Sequence, residues 1–186
     1  MFDFFSAVDV WQLKAELPSF RVIIEWLAGN LLMPFVALHM LFDDEYFMRA
    51  ALAEAGTAFE KDEVPVGAVI VAANRIIARG HNMVEQLRDV TAHAEILAFG
   101  AAANALGSKF LNDCTLYVTV EPCLMCAGAA YWSRIGTVVF GTPDVKRGYS
   151  VFEKEMKIFH PSTVIRSGVL EKECAALMTD YFRAKR

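Results

Sequence analysis

The chain has 186 residues, the size of one domain that can bury its own core without disulfides or a structural metal. Hydrophobic residues make up 55% and charged residues 22%, a composition that excludes disordered, collagen-like and low-complexity chains. The net charge of −4 argues against nonspecific coating of nucleic acid, which needs clustered Lys and Arg. Residues 134–186 nevertheless hold 10 basic and 6 acidic side chains, either a surface for a polyanion or a solvated helix face.

The cysteine content indicates a reducing compartment. Four cysteines, at positions 114, 123, 126 and 174, are too few and too unevenly spaced for a secreted disulfide framework, so we predict a cytoplasmic protein. Cys114 and Cys174 are expected to be small buried hydrophobes, whereas the close pair Cys123 and Cys126 suggests metal or redox chemistry.

Residues 1–42 form an N-terminal extension unlike the rest of the chain. Residues 27–42 lack a formally charged side chain, but this stretch is shorter than the roughly 18 residues expected of a membrane span, so no membrane partner is predicted. The basic leader and small-residue cleavage site of an export signal are also missing. Because Met33 and Met40 lie in this stretch, two interpretations stay open: a start codon assigned too far upstream, or an extra helix packed on the domain.

The first predicted elements of the domain over residues 43–186 are a helix and a hairpin. Asp43, Asp44 and Glu45 suit the N-terminus of an amphipathic helix. Residues 64–72 and 75–80 are β-branched and apolar runs joined at Ala73-Asn74, which predicts an antiparallel hairpin whose first strand starts near Pro65.

The remaining elements alternate in type. Thr91 is placed to cap a helix over residues 92–105, and Gly107 to end it. Strands are predicted over residues 115–120, 137–140 and 163–166, and helices over 124–134 and 171–186. This order predicts a layered α/β domain with helices on both faces of one mixed sheet.

Two short motifs, each after a predicted strand, contain the informative side chains. They are His93-Ala94-Glu95 and Pro122-Cys123-Leu124-Met125-Cys126. Thiolates and a neutral imidazole select zinc, and Cys123 and Cys126 span one helical turn, so both sulfurs can face one ion. A helix N-terminus also favours the thiolate that binds metal.

Three protein ligands leave the fourth tetrahedral position open, as in catalytic zinc sites, where zinc acidifies a water molecule. Glu95 is a poor fourth ligand at its spacing from His93, but it can lie beside that water and shuttle its protons as general acid and base.

Three other interpretations compete with a catalytic zinc. His81 or His160 could complete a closed structural site. The Cys pair could be a thioredoxin-like redox motif, which leaves His93 and Glu95 unexplained. Coincidence is the third, and it fits a lone C-x-x-C better than two motifs that each follow a strand.

With these motifs the chain resembles the zinc-dependent cytidine and deoxycytidylate deaminase superfamily, and within it the bacterial tRNA adenosine deaminases. The resemblance spans about residues 43–186. Its specific stretches are residues 63–69, 91–95, 115–129 and 133–136.

The resemblance implies a three-layer α/β/α fold with a five-stranded mixed sheet, a homodimer, and one zinc ion per subunit. It further implies hydrolysis of the wobble adenosine of a tRNA anticodon stem-loop to inosine and ammonia, with Glu95 protonating N1 and then the departing amine. The substrate contacts that it implies are Asn82, Ala94, Asp144, Lys146, Arg147 and Arg183.

Departures from the family pattern keep other substrates open. Val90 replaces the usual Pro before the zinc motif, and residues 159–164 lack a familiar Asn-His pair. One alternative is therefore a deaminase of a free nucleobase or nucleoside of the guanine, cytosine or cytidine type. Another is a noncatalytic, zinc-stabilised RNA-binding module.

Overall fold

A computed structural model describes residues 42–153 and 157–186, and what the sequence predicts for residues 1–41 lies outside this part of the chain. The elements in chain order are α1 (Asp44–Glu60), β1 (Gly67–Ala72), β2 (Arg75–His81), α2 (Val84–Leu87), α3 (Ala94–Leu106), β3 (Cys114–Val120), α4 (Leu124–Ser133), β4 (Thr137–Thr142), a 3-10 turn (Tyr149–Val151), β5 (Val164–Ser167) and α5 (Glu171–Ala184). Over the described ranges, no helix is long and apolar enough to cross a membrane.

The five strands form one mixed sheet in the order β2-β1-β3-β4-β5, which confirms the predicted fold class. Strand β1 pairs antiparallel with both β2 and β3, whereas β3, β4 and β5 run parallel. The predicted hairpin is present, and both turn residues, Ala73 and Asn74, have positive φ angles, as a tight turn matched to the strand twist requires.

Helices cover both faces of the sheet because the central strands alternate between two cores. On β1, Ala68 and Ile70 face the core shared with α3 and α4, whereas Val69 and Val71 face the core shared with α1 and α5. Full burial of a Val or Ile side chain, as at Val69 and Ile70, contributes about 1.5–3 kcal/mol. The two cores together fix the register of the sheet, since a slip of one residue would exchange every side chain between them.

The start of α1 agrees with the sequence, and the start of α3 does not. Asp43 is the N-cap of α1, and its Oδ1 accepts a hydrogen bond of 2.8 Å from the Tyr46 N–H. The predicted cap by Thr91 is wrong: α3 begins two residues later, with His93 as N-cap. The hydroxyl and N–H of Thr91 both donate to Asp89 Oδ1, a local turn that competes with helix capping.

Strand β1 begins at Gly67 rather than at the predicted residue 64. The Val66 N–H bonds back to the Val64 carbonyl in a tight turn, and Pro65 has no N–H to give to a ladder. Gly67 lies under α1, where a Cβ would collide with the Ala51 carbonyl. The other boundaries shift by two residues or fewer, and the one-turn helix α2 was not predicted.

Four chain segments meet at one edge of the sheet. The strand directions bring together the carboxyl ends of β2, β3 and β4, and the first residue of β1 pairs with the last of β2, Gly67 with His81. The carboxyl edge of strands is where open α/β sheets bind ligands. Both candidate metal motifs follow this edge.

Gly80 on β2 is predicted to set the position of α3. A Cβ at Gly80 would collide with the Ala94 carbonyl and approach the Ala98 N–H to 3.0 Å, both in the α3 backbone. We expect Gly80→Ala to lower the free energy of unfolding by about 1–3 kcal/mol, measured by chemical denaturation, because backbone cannot yield as a side chain can.

Gly100→Ala is the matched control, since Gly100 lies on α3 and the methyl group added there would have nothing within 4 Å. Higher helix propensity should stabilise this variant by up to about 1 kcal/mol. Equal effects of the two substitutions would show that the contact between β2 and α3 is not constrained at Gly80.

Candidate active site

Two helices begin side by side at the sheet edge, and each begins with a metal-binding residue. His93 is the N-cap of α3 and Cys123 is the N-cap of α4, both with extended backbone (φ −71°) and neither making a side-chain capping bond. Their side chains are therefore free to face each other. The positive ends of both helix dipoles favour negative charge here.

His93, Cys123 and Cys126 form a compact triangle. Their ligand atoms all lie within 4.8 Å of one another, and His93 Nδ1 lies 3.6 Å from Cys123 Sγ and 3.5 Å from Cys126 Sγ. Tetrahedral zinc bonds of about 2.0–2.1 Å to nitrogen and 2.3 Å to sulfur put such atoms about 3.5 Å apart. The donor set and its spacing thus fit zinc.

The two histidines considered as a fourth ligand lie elsewhere. His81 contacts Glu54 at 3.2 Å and Lys61 at 3.0 Å, and His160 contacts the Ser162 hydroxyl at 2.7 Å. Among the described residues the metal-binding cluster has three members. The structure therefore contradicts a closed structural site completed by either histidine. Three protein ligands remain, as in catalytic zinc sites.

The two thiols lie close enough to shift each other's pKa in opposite directions. A hydrogen bond from Cys126 lowers the pKa of Cys123 to about 4, and the same contact raises the pKa of Cys126. The hydrogen bond to Cys123 raises the pKa of His93. A divalent cation would stabilise both thiolates and the neutral imidazole, so metal binding and deprotonation of these three side chains favour each other.

Glu95 is buried in the first turn of α3, with 3% of its surface exposed. Burial raises the pKa of Glu95 to about 7, and its carboxyl contacts the Cys126 thiol. The side chain therefore lies beside the triangle, at the place where a proton carrier would act.

Asn82 is held by a buried carboxylate that sequence reasoning missed. Its Nδ2 donates to Glu63 Oε2 at 3.1 Å, and Glu63 Oε1 accepts from the Gln86 N–H at 2.7 Å. Asn82 and Glu63 are 6% and 1% exposed. The hydrogen bond to Glu63 therefore fixes the orientation of the Asn82 side-chain amide. Glu63 lies in a stretch that resembles the family, but no local signal pairs it with residue 82.

The other predicted substrate residues lie in three places. Ala94 is buried at the start of α3, and Asp144, Lys146 and Arg147 follow β4 at the same sheet edge. Arg183 lies near the end of α5, where it pairs with Asp180 at 3.2 Å, and Lys185 pairs with Asp62. Part of the C-terminal positive charge is thus balanced locally by exposed ion pairs, which are weak.

Several known proteins are similar to this chain. Residues 42–142 match the family described as the cytidine and deoxycytidylate deaminase zinc-binding region. A tRNA-specific adenosine deaminase from Bacillus subtilis is 47% identical over 147 residues, covering 77% of this chain and 91% of that protein. A chloroplastic tRNA(adenine(34)) deaminase from Arabidopsis thaliana is 46% identical over 161 residues, which is 76% of this chain and 12% of that protein.

Solved structures show the same likeness. A structure described as part of studies of A-to-I editing by tRNA:A34 deaminases has a TM-score of 0.67 and 43% identity, covering 71% of this chain and 98% of that one. A guanine deaminase from Bacillus subtilis has a TM-score of 0.54 and 38% identity, covering 61% and 76%. The zinc prediction is confirmed by the matched zinc-binding region together with the triangle.

Replacing one ligand should remove the metal. Loss of a residue that only supports a metal ligand lowers metal affinity roughly 10- to 100-fold. We expect Cys126→Ala to lower zinc affinity by more than this, because the substitution removes a thiolate ligand itself. The measurement is zinc per chain by elemental analysis after dialysis.

Cys114→Ala is the matched control, since Cys114 is equally buried but outside the triangle. It should keep its zinc. Full zinc in the Cys126 variant would contradict the assignment of this site.

Proposed function

Because this chain belongs to the cytidine and deoxycytidylate deaminase zinc-binding family, among its tRNA-specific adenosine deaminases, we propose that it converts the wobble adenosine of a tRNA anticodon to inosine. The observation that supports this most is the triangle of His93, Cys123 and Cys126 with the buried Glu95 beside it. Water is the second substrate and ammonia the second product.

Glu95 is the residue that we assign to proton transfer. A zinc ion held by the triangle would supply an activated water molecule at neutral pH. The Glu95 carboxylate takes a proton from the attacking water and delivers it to N1 of adenine as the new C–O bond forms at C6. It then carries the second water proton to the amine, so the C–N bond breaks and ammonia leaves.

Recognition of the base is assigned to Asn82 and Ala94. An amide both donates and accepts hydrogen bonds, so it can read a base edge once its orientation is fixed. Glu63 provides that orientation by accepting from Nδ2. Ala94 lies between His93 and Glu95, and its side chain is only a methyl group, which leaves room for a base taken out of its stack.

We assign binding of the anticodon stem-loop to exposed basic side chains near the sheet edge and on α5. Lys146 and Arg147 are exposed beside the sheet edge, and Arg183 is exposed near the end of α5. Such contacts hold the phosphate backbone while an unpaired base reaches Glu95 and the metal ligands. The reducing cytoplasm suits this role, because all four cysteines are free.

Glu95→Gln tests the mechanism. The amide has almost the same shape but cannot shuttle protons, so we expect the single-turnover rate of inosine formation in a stem-loop to fall about 100- to 10,000-fold. Zinc content and RNA affinity should stay unchanged.

Glu60→Gln, a change at an exposed glutamate of α1, is the control and should keep full activity. If Glu95→Gln is as active as the original protein, the acid–base role is wrong. If neither protein ever forms inosine but both bind the RNA, the chain is a noncatalytic zinc-stabilised binding module.

We further propose a homodimer through α4. Leu124 and Trp132 are 45% and 79% exposed, and with Gly128 they follow the i, i+4, i+8 spacing of one helix face. Exposed large apolar side chains on a helix that also holds Cys123 and Cys126 suit an interface next to the active site.

Trp132→Glu should convert the dimer to monomers, because a carboxylate in an apolar interface loses its hydration without gaining a partner. Sedimentation velocity measures the change. Val164→Glu, at an exposed apolar residue of β5, is the control and should leave the dimer intact. A Trp132→Glu protein that sediments like the original would place any interface elsewhere.

A further inference from the structure

One buried carboxylate has no part in the chemistry described above. Glu121, the last residue before Pro122 and Cys123, is 4% exposed. Its two oxygens accept hydrogen bonds from backbone N–H groups far along the chain, Oε2 from Asp144 at 3.0 Å and Oε1 from Ser150 at 2.9 Å. Both donors belong to the segment 143–150, here called the β4 loop.

The β4 loop is built around this carboxylate. Gly148 forms an isolated antiparallel bridge with Cys123, and a Cβ on Gly148 would collide with the carboxyl group of Glu121. The next N–H, of Tyr149, donates to the Pro122 carbonyl at 2.9 Å. The loop therefore packs directly on the segment that holds a zinc ligand.

The inner and outer parts of the loop are linked through Asp144. Its N–H donates to Glu121, and its own Oδ1 accepts from the N–H groups of Lys146 and Arg147 at 3.0 Å each. Lys146 and Arg147 are exposed, whereas Gly148 and Tyr149 are buried. The buried Glu121 carboxylate thus holds the backbone segment from which the exposed Lys146 and Arg147 side chains extend.

Hydrogen bonds to an ionised acceptor are stronger than neutral ones, and an ionised group that loses its donors inside a protein is destabilising. Among the described residues Glu121 has no ion-pair partner. The backbone N–H groups of the β4 loop therefore stabilise the Glu121 carboxylate in place of a cation, and the carboxylate in turn holds the loop.

We propose that Glu121 is a positioning residue for RNA, which holds the β4 loop against the zinc-ligand segment so that Lys146 and Arg147 meet the anticodon stem-loop. This inference rests on the proposed function. It predicts that the residue acts on substrate binding and not on the chemical step.

Glu121→Gln tests this with little change of shape. The amide oxygen keeps one acceptor, but its NH2 group faces a backbone N–H. We expect KM for an anticodon stem-loop to rise about 10- to 100-fold, as for loss of a hydrogen bond to a charged group, with kcat and zinc content unchanged. Hydrogen exchange at the amides of Asp144 and Ser150 should become faster. Glu153→Gln, at an exposed glutamate just after the loop, should change none of these.

A second variant reaches the same contact from the loop side and keeps the charge. Gly148→Ala should also raise KM without lowering kcat, since its methyl group displaces the carboxylate. In the double variant with Glu121→Asp, the shorter side chain leaves room for the methyl group. The fold-increase in KM of the double variant should therefore be smaller than the product of the fold-increases measured for Gly148→Ala alone and for Glu121→Asp alone.

The outcomes separate the two proposals. If the original protein deaminates the stem-loop, an unchanged KM in Glu121→Gln, or a loss of zinc or kcat in its place, would overturn the positioning role alone. If the original protein does not act on RNA, the proposed function fails and the positioning role fails with it.

Discussion

The site depends on one constraint, the meeting of two helix N-termini at one edge of the sheet. Parallel direction of β2 and β3 brings the start of α3 and the start of α4 to the same place. At both starts the N-cap side chain makes no capping bond, so His93 and Cys123 are free for a metal ion. The helix dipoles favour the thiolates, and Cys126 follows one turn into α4.

Three glutamates, Glu63, Glu95 and Glu121, are buried in the described part of the chain, and their partners distinguish their roles. Glu95 lies beside the thiols and suits proton transfer, Glu63 holds the amide of Asn82, and Glu121 holds the backbone of the β4 loop. A carboxylate buried without partners would be costly, so each of these groups fixes the segment that supplies its hydrogen bonds. Glu63 thereby links Asn82 to the N–H of Gln86 in α2, and Glu121 links the end of β3 to the β4 loop.

The zinc ligands could be predicted because their chemistry is local in sequence. Cys123 and Cys126 are one helical turn apart, and the motif around His93 follows a strand as the Cys motif does. The sheet and its two helical layers followed from apolar runs in the same way. Thr91 failed as a cap because Asp89 lies two residues away and takes both of its donors.

The supporting glutamates could not be predicted from local patterns. The partners of Glu63 lie 19 and 23 residues away, and those of Glu121 lie 23 and 29 residues away, in each case partly through backbone N–H groups that any residue type supplies. Their identity depends on which strand ends meet at the sheet edge. Only the folded arrangement gives that information.

The most direct test of the account is substrate choice. Ammonia release by the zinc-loaded protein should be measured with an anticodon stem-loop containing the wobble adenosine, and with free adenosine, guanine and cytidine. The account predicts ammonia and inosine from the stem-loop alone. Turnover of a free base or nucleoside with none on the RNA would contradict it and would make the chain an enzyme of nucleotide salvage.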